Sequence, residues 1–131
     1  QALETGHINL HDPRPSRDFM FRDDHAAGYL AVLAHPDVAR GETFNLCTGD
    51  AWTIEEMAKY VAGVVDQLGP SILGAPVTVS FENIPDRPLD IPRLQGSYAK
   101  AETLLGWQPQ HTIAAGLTRA IEEWAGVLKR T

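Results

Sequence analysis

Three side chains in this sequence have the chemistry to hold a small polyanion: Arg17, Arg87 and Asp90. A guanidinium is planar and presents a rigid fork of donors, so it grips phosphate oxygens in two places at once. Two arginines can bracket a diphosphate, and an aspartate beside them can accept hydrogen bonds from ribose or sugar hydroxyls. Arg17 and Arg87 are far apart along the chain, so the site exists only if the fold joins them. The plainer reading makes Arg17 a surface charge and the Arg87 segment a proline-rich connector.

Two local elements would have to position these groups. Arg17-Asp18-Phe19-Met20-Phe21 reads as a short strand, because Phe19 and Phe21 alternate with other residues. Asp23 and Asp24 follow as candidate N-cap oxygens. They would open a helix from about Asp24 to His35, with Ala26, Ala27, Leu30, Leu33 and Ala34 on one inward face, closed by Pro36. Arg87 and Asp90 lie in the run from Ile84 to Arg93, which holds Pro85, Pro88 and Pro92. Proline fixes φ and stiffens such a loop, so its side chains are held at little entropic cost.

Other chemistries find no support. His7, His11, His25, His35 and His111 are scattered, with no spacing that suits a metal. Cys47 falls inside an expected strand and reads as buried rather than nucleophilic. His25 is adjacent to Asp24 in sequence, which does not make a catalytic pair. There is no Gly-x-Ser-x-Gly elbow and no phosphate loop ending in Gly-Lys-Ser/Thr.

Length and charge narrow the field. The chain has 131 residues, room for one domain with its own core over residues 1–131, and a net charge of -6. That balance argues against nucleic acid or an anionic membrane surface as a partner. A single cysteine allows no internal disulfide and suggests a reducing, cytoplasmic setting. No apolar run approaches the roughly 20 residues of a membrane span, and the residues from Gln1 lack the order of a signal peptide.

The remaining elements follow from patterning. His7–Leu10 is a possible strand, and the proline-rich turn after it suggests a loose hairpin with the Arg17–Phe21 strand. Thr43–Cys47 reads as a buried strand entered through Gly41. Thr53-Ile54-Glu55-Glu56 is a capping box opening a helix with Ile54, Met57, Ala58, Val61, Val64, Val65 and Leu68 on one face. Residues 76–81 alternate as a strand. Ser97 is expected to cap a helix ended by Gly106, with Trp107 packed behind it. Thr112 is expected to cap a last helix whose stripe is Ile113, Leu117, Ile121, Trp124 and Leu128. The fold class is therefore α/β, with about four helices and a few short strands.

Four of these stretches occur together in a familiar order. Arg17-Asp18-Phe19 with Asp24 comes first, then Phe44-Asn45-Leu46 with Gly49 and the Thr53-Ile54 helix. Asp86-Arg87-Pro88-Leu89-Asp90 follows, and Lys100-Ala101 through Leu104-Leu105-Gly106-Trp107 closes the set. The order resembles the C-terminal, substrate-binding half of the extended short-chain dehydrogenase/reductases. These are NAD-dependent epimerases, 4,6-dehydratases and reductases of UDP-, GDP-, dTDP- or CDP-sugars. The Pro15–Phe21 run is somewhat more similar to the 4,6-dehydratases. The resemblance implies that Arg17 and Arg87 contact the nucleotide diphosphate and that Asp90 lies near the ribose. It also implies that the Thr43–Leu46 strand joins the edge of a Rossmann sheet. Arg22 stands where many relatives carry valine, a change expected to alter strand packing near the site.

Two hallmarks of complete family members do not occur. There is no Gly-x-x-Gly-x-x-Gly turn for the NAD pyrophosphate. Tyr29, Tyr60 and Tyr98 all lack a lysine four residues later, so the catalytic Tyr-x-x-x-Lys is missing. The expectation is a chain that lacks the complete Rossmann sheet, holds no NAD, has no catalytic or metal-binding residue, and is inactive alone. It would bind a nucleotide sugar through Arg17, Arg87 and Asp90. The alternative is a non-catalytic remnant or interaction module with no such ligand. In either case an exposed strand at Thr43–Cys47 predicts a homodimer or higher oligomer.

Overall fold

The computed structural model describes residues 1–68, 75–82 and 91–128. Its elements run α1 (Ala2–Thr5), β1 (His7–Leu10), β2 (Ser16–Arg17), α2 (Arg22–Ala34), α3 (Pro36–Ala39), β3 (Trp52–Thr53), α4 (Ile54–Gln67), β4 (Thr78–Phe81), β5 (Arg93–Leu94), α5 (Ala99–Leu105) and α6 (Ile113–Leu128). The α/β class holds. The four helices expected from the sequence are α2, α4, α5 and α6, and the single turns α1 and α3 add to them.

Strand pairing departs from local expectation. β1 does not form a hairpin with β2. It pairs in parallel with β4, His7 opposite Thr78 and Leu10 opposite Phe81, while β2 lies between β3 and β5 in a separate sheet. Pro13 and Pro15 explain the separation, since a proline-bearing turn cannot carry a ladder from β1 into β2. The pairing of β2 stops at Arg17, and Phe21 serves instead as the residue before α2, with no side-chain cap. Thr43–Cys47 is not a strand of either sheet. An extended run becomes a strand only when another strand lies beside it.

Capping and periodicity place the helices well where both agree. The Thr53 hydroxyl accepts the Glu56 amide at 3.1 Å, the Glu56 carboxylate accepts the Thr53 amide at 2.7 Å, and α4 buries Ala58, Ala62, Val64 and Val65. Those residues meet Ile121 and Ala125 of α6 and Ile8 of β1 in the larger core. The smaller core gathers Ala101, Leu105 and Trp107 with Met20, Val32, Phe44 and Leu46 at its margin. Gly106 ends α5 at φ 64°, and the Thr112 hydroxyl accepts the Ala115 amide at 3.2 Å.

Two expectations about faces and one about a cap fail. α2 turns Asp24 and Gly28 inward and leaves Tyr29, Leu30 and Leu33 exposed, Leu33 at 74%. Gly28 is inward because it meets Leu46: a Cβ there would lie 2.6 Å from a Leu46 methyl. Trp124 is 53% exposed, and the small Ala125 takes its place in the α6 stripe. Ser97 does not cap α5. The N-cap residue is Tyr98, and the Ser97 hydroxyl accepts the Ala99 amide at 3.4 Å.

Candidate functional site

Arg17 and Asp18 are neighbours that do different jobs. In register, Arg17 lies between Trp52 of β3 and Leu94 of β5. Its guanidinium Nη1 donates to the Ser16 carbonyl at 2.8 Å and to the Ile91 carbonyl at 2.9 Å. Trp52 is held in turn: its ring meets Tyr60 edge-on at 5.3 Å, and the Tyr60 hydroxyl lies 2.8 Å from the Thr118 hydroxyl. The strand carrying Arg17 is thus anchored to α4 and α6.

The Asp18 carboxylate binds loops. One oxygen accepts the Thr48 amide at 2.8 Å and the Thr48 hydroxyl at 2.6 Å. The other accepts the amides of Gly49 at 3.0 Å and Gly96 at 3.3 Å. Gln95 adds a bond from its side-chain amide to the Gly49 carbonyl at 2.6 Å, and Arg93 donates to the Gln95 side chain. The loop after Thr43–Cys47 and the segment leading into α5 are thereby fastened to the end of β2. Sequence reading missed this role of Asp18. The signal was an aspartate next to a strand end, with Thr48-Gly49 downstream, and nothing local pairs them.

Cys47 sits under this knot. Burial raises its thiol pKa, and the negative charge of Asp18 adds to the effect. A thiol held protonated is a poor nucleophile, in keeping with its reading as a buried residue.

Arg87 and Asp90 lie outside the described residues. Arg17 does reach Ile91, the residue that follows Asp90 in sequence.

Asp24 is neither a cap nor a partner of His25. It is 3% exposed, and its carboxylate accepts the His111 amide at 2.9 Å and lies 3.0 Å from His111 Nδ1. The Trp107 indole donates to the Asp24 carbonyl at 3.2 Å. Arg119 lies 3.3 Å from His111 Nε2. An arginine can only donate, so His111 carries its proton on Nδ1, facing Asp24. Among the described residues no buried side-chain nitrogen or oxygen lacks a partner, and this set ties α2 to the entry of α6. Arg22 lies in a helix and not in a strand. It opens α2, pairs with Glu123 and sits 5.7 Å over the Phe21 ring.

His7 and His11 are occupied by strand β4 and the residue after it. His7 Nδ1 is 2.7 Å from the Thr78 hydroxyl, and His11 Nδ1 is 2.9 Å from the Glu82 carboxylate. Among the described residues, no three His, Cys, Asp or Glu side chains gather as a metal site requires. An open apolar depression between residues 19–22 and α6 is lined by Phe19, Met20, Phe21, Ile113, Leu117 and Ala120, with Arg22 the one charged residue among its described lining.

With this geometry in hand, a family model described as GDP-mannose 4,6 dehydratase matches residues 2–120. The chain belongs to that family. GDP-6-deoxy-D-mannose reductase of Pseudomonas aeruginosa is 27% identical over 124 residues, which are 95% of this chain and 38% of the relative. UDP-glucose 4-epimerase of Mycolicibacterium smegmatis is 32% identical over 111 residues, 85% of this chain and 32% of the relative. Among solved structures, epimerase Mth375 from Methanothermobacter thermautotrophicus aligns with a TM-score of 0.73 at 28% identity, covering 98% of this chain and 37% of that one. The resemblance to the extended short-chain dehydrogenase/reductases of nucleotide sugars holds. The chain spans about a third of the length of the relatives it matches. No helix among the described residues is long and apolar enough to cross a membrane.

Proposed function

We propose that this chain binds the diphosphate of a nucleotide sugar, with Arg17 and Arg87 as the cationic clamp and Asp90 toward the ribose. UDP-, GDP-, dTDP- and CDP-sugars all present the diphosphate this clamp would recognise. The observation that carries the reading is the bond from Arg17 to the Ile91 carbonyl. It brings a guanidinium on β2 to the residue next in sequence to Asp90. The names of the relatives support the substrate class, since they act on GDP- and UDP-linked sugars.

In this reading the 131 residues bind without catalysing. They contain no Tyr-x-x-x-Lys and no glycine-rich dinucleotide turn, and hydride chemistry on a sugar needs both a carrier and an acid/base. Calorimetry with UDP-glucose, GDP-mannose and dTDP-glucose tests the proposal. Binding of at least one, lost in both Arg17→Ala and Arg87→Ala, is the expected result. An NAD titration should give no heat. Absence of heat with every nucleotide sugar overturns the reading and leaves the alternative, a non-catalytic oligomeric remnant or interaction module with no nucleotide-sugar binding.

A further inference from the structure

His111 stands between a buried carboxylate and an arginine. Its Nδ1 lies 3.0 Å from Asp24, its Nε2 lies 3.3 Å from Arg119 Nη1, and its ring centre is 5.0 Å from that of Phe21. Asp24 is held in place, because its other oxygen accepts the amide of residue 111. Arg119 has more freedom. Its side chain is half-exposed, and two carboxylates lie within its reach besides the imidazole. Its Nε donates to Glu123 at 3.3 Å, while its Nη2 stops 3.6 Å short of an Asp23 oxygen, beyond an ordinary hydrogen bond. Arg22 pairs with the same two carboxylates.

We propose that this cluster is a proton-driven latch: protonation of His111 at Nε2 moves Arg119 off the imidazole and onto Asp23. The ring accepts at Nε2 only while its single proton sits on Nδ1. His111 keeps 25% of its side chain open to water, so a second proton arrives from solvent. It turns Nε2 into a donor and sets two cations against each other at contact distance, an arrangement that repels. His111 is the less able to move, since Asp24 accepts from both its ring and its amide and binds a charged ring more strongly. Arg119 moves instead, and Asp23 is the acceptor already waiting for it. Among the described residues, the charged groups facing the ring are Asp24 from α2 and Arg119 from α6; Asp23, Glu123 and Arg22 lie one contact further out. Three carboxylates thus meet two guanidiniums, and an imidazolium balances the set. The latch exchanges a bond from α6 to the residue before its own cap for an ion pair between α6 and the first turn of α2. It needs no ligand, so it stands or falls apart from the nucleotide-sugar reading.

Nitrogen-15 correlation spectra of the histidine rings and of the Arg119 side chain, recorded from about pH 8.5 to 5.5, test it. His111→Gln and Arg119→Met assign the signals. The expected result is an Nδ1–H tautomer of His111 at the alkaline end and an Arg119 Nε signal that shifts with the same midpoint as His111. Arg119→Met removes the opposing cation and should raise the His111 midpoint by about half a unit or more. Asp23→Asn takes away the second position and should shrink the Arg119 response. If circular dichroism shows either variant to be unfolded, the tautomer and the Arg119 signal of the unaltered chain decide. An Nε2–H tautomer at the alkaline end, an Arg119 signal that ignores the His111 titration, a midpoint not raised in Arg119→Met, or an Arg119 response unchanged in Asp23→Asn overturns the proposal.

Discussion

The carboxylate of Asp18 holds Thr48 twice, 2.8 Å from its amide nitrogen and 2.6 Å from its hydroxyl. The same carboxylate accepts the amides of Gly49 and Gly96, so one side chain joins three segments that are distant in sequence. Arg17 precedes it in the chain, and the knot fixes the backbone from which that arginine extends.

Removing the knot should loosen both loops. Asp18→Ala leaves four donors without their charged acceptor and is expected to cost about 2–4 kcal/mol of stability. Asp18→Asn should lose less, because one carbonyl oxygen still accepts, but its amide group meets N–H donors on the other side. Urea unfolding of the three proteins checks the order. Equal stability of Asp18→Ala and the parent would contradict the assignment.

The Asp24–His111 pair predicts strong coupling. His111→Ala removes a partner from a carboxylate that is 3% exposed, with an expected loss of about 2–4 kcal/mol. Asp24→Ala should cost a similar amount, and the double variant less than the sum, because the two substitutions remove one shared side-chain contact and only the backbone amide of residue 111 then loses its acceptor. A double-mutant cycle followed by urea unfolding measures this directly.

Close packing at Gly96 makes a third prediction. A Cβ there would lie 2.6 Å from Cys47 Sγ and 2.9 Å from Cys47 Cβ. The second contact is to an atom bonded to backbone, which cannot swing away. Gly96→Ala should therefore destabilise by about 1–3 kcal/mol, and pairing it with Cys47→Ala should recover part of the loss. Thermal denaturation of the two variants is the check.

Glu56 supplies a pH dependence with a definite sign. The Thr53 backbone amide, and then its hydroxyl, hold the Glu56 carboxyl below its ordinary value. A carboxyl with a depressed folded pKa adds stability above its unfolded value, and that addition is lost as pH falls through the folded one. The melting-temperature gap between the parent and Glu56→Ala should therefore be widest near neutrality and shrink in acid. A gap that stays constant down to strongly acid pH would rule out the capping-box origin.

Cys47 should resist alkylation. Burial and the charge of Asp18 push its thiol up, so iodoacetamide should react slowly at mildly alkaline pH and rapidly once urea unfolds the chain. In Asp18→Asn the reaction should quicken, since the opposing charge is gone. Mass spectrometry of the time course reads both effects.

The sequence by itself determined what neighbours along the chain can decide. Thr53 and Glu56 are three residues apart, so their capping box was legible, as were the α4 face, the Gly106 stop and Thr112 before α6. Arg17-Asp18-Phe19 and the motifs after it were legible as a family order. Tertiary structure alone decided pairings across long separations: β1 with β4, Asp18 with Thr48 and Gly96, Asp24 with His111. None of these partners lies within a helical turn or a tight hairpin of the other, so no local period announces them. The same reason explains α2. Its apolar residues predicted a buried face, but Gly28 admits Leu46 closely where the larger side chains cannot, and the helix turns Leu30 and Leu33 outward. Faces are chosen by what can pack against them, and that choice is made only when the chain has folded.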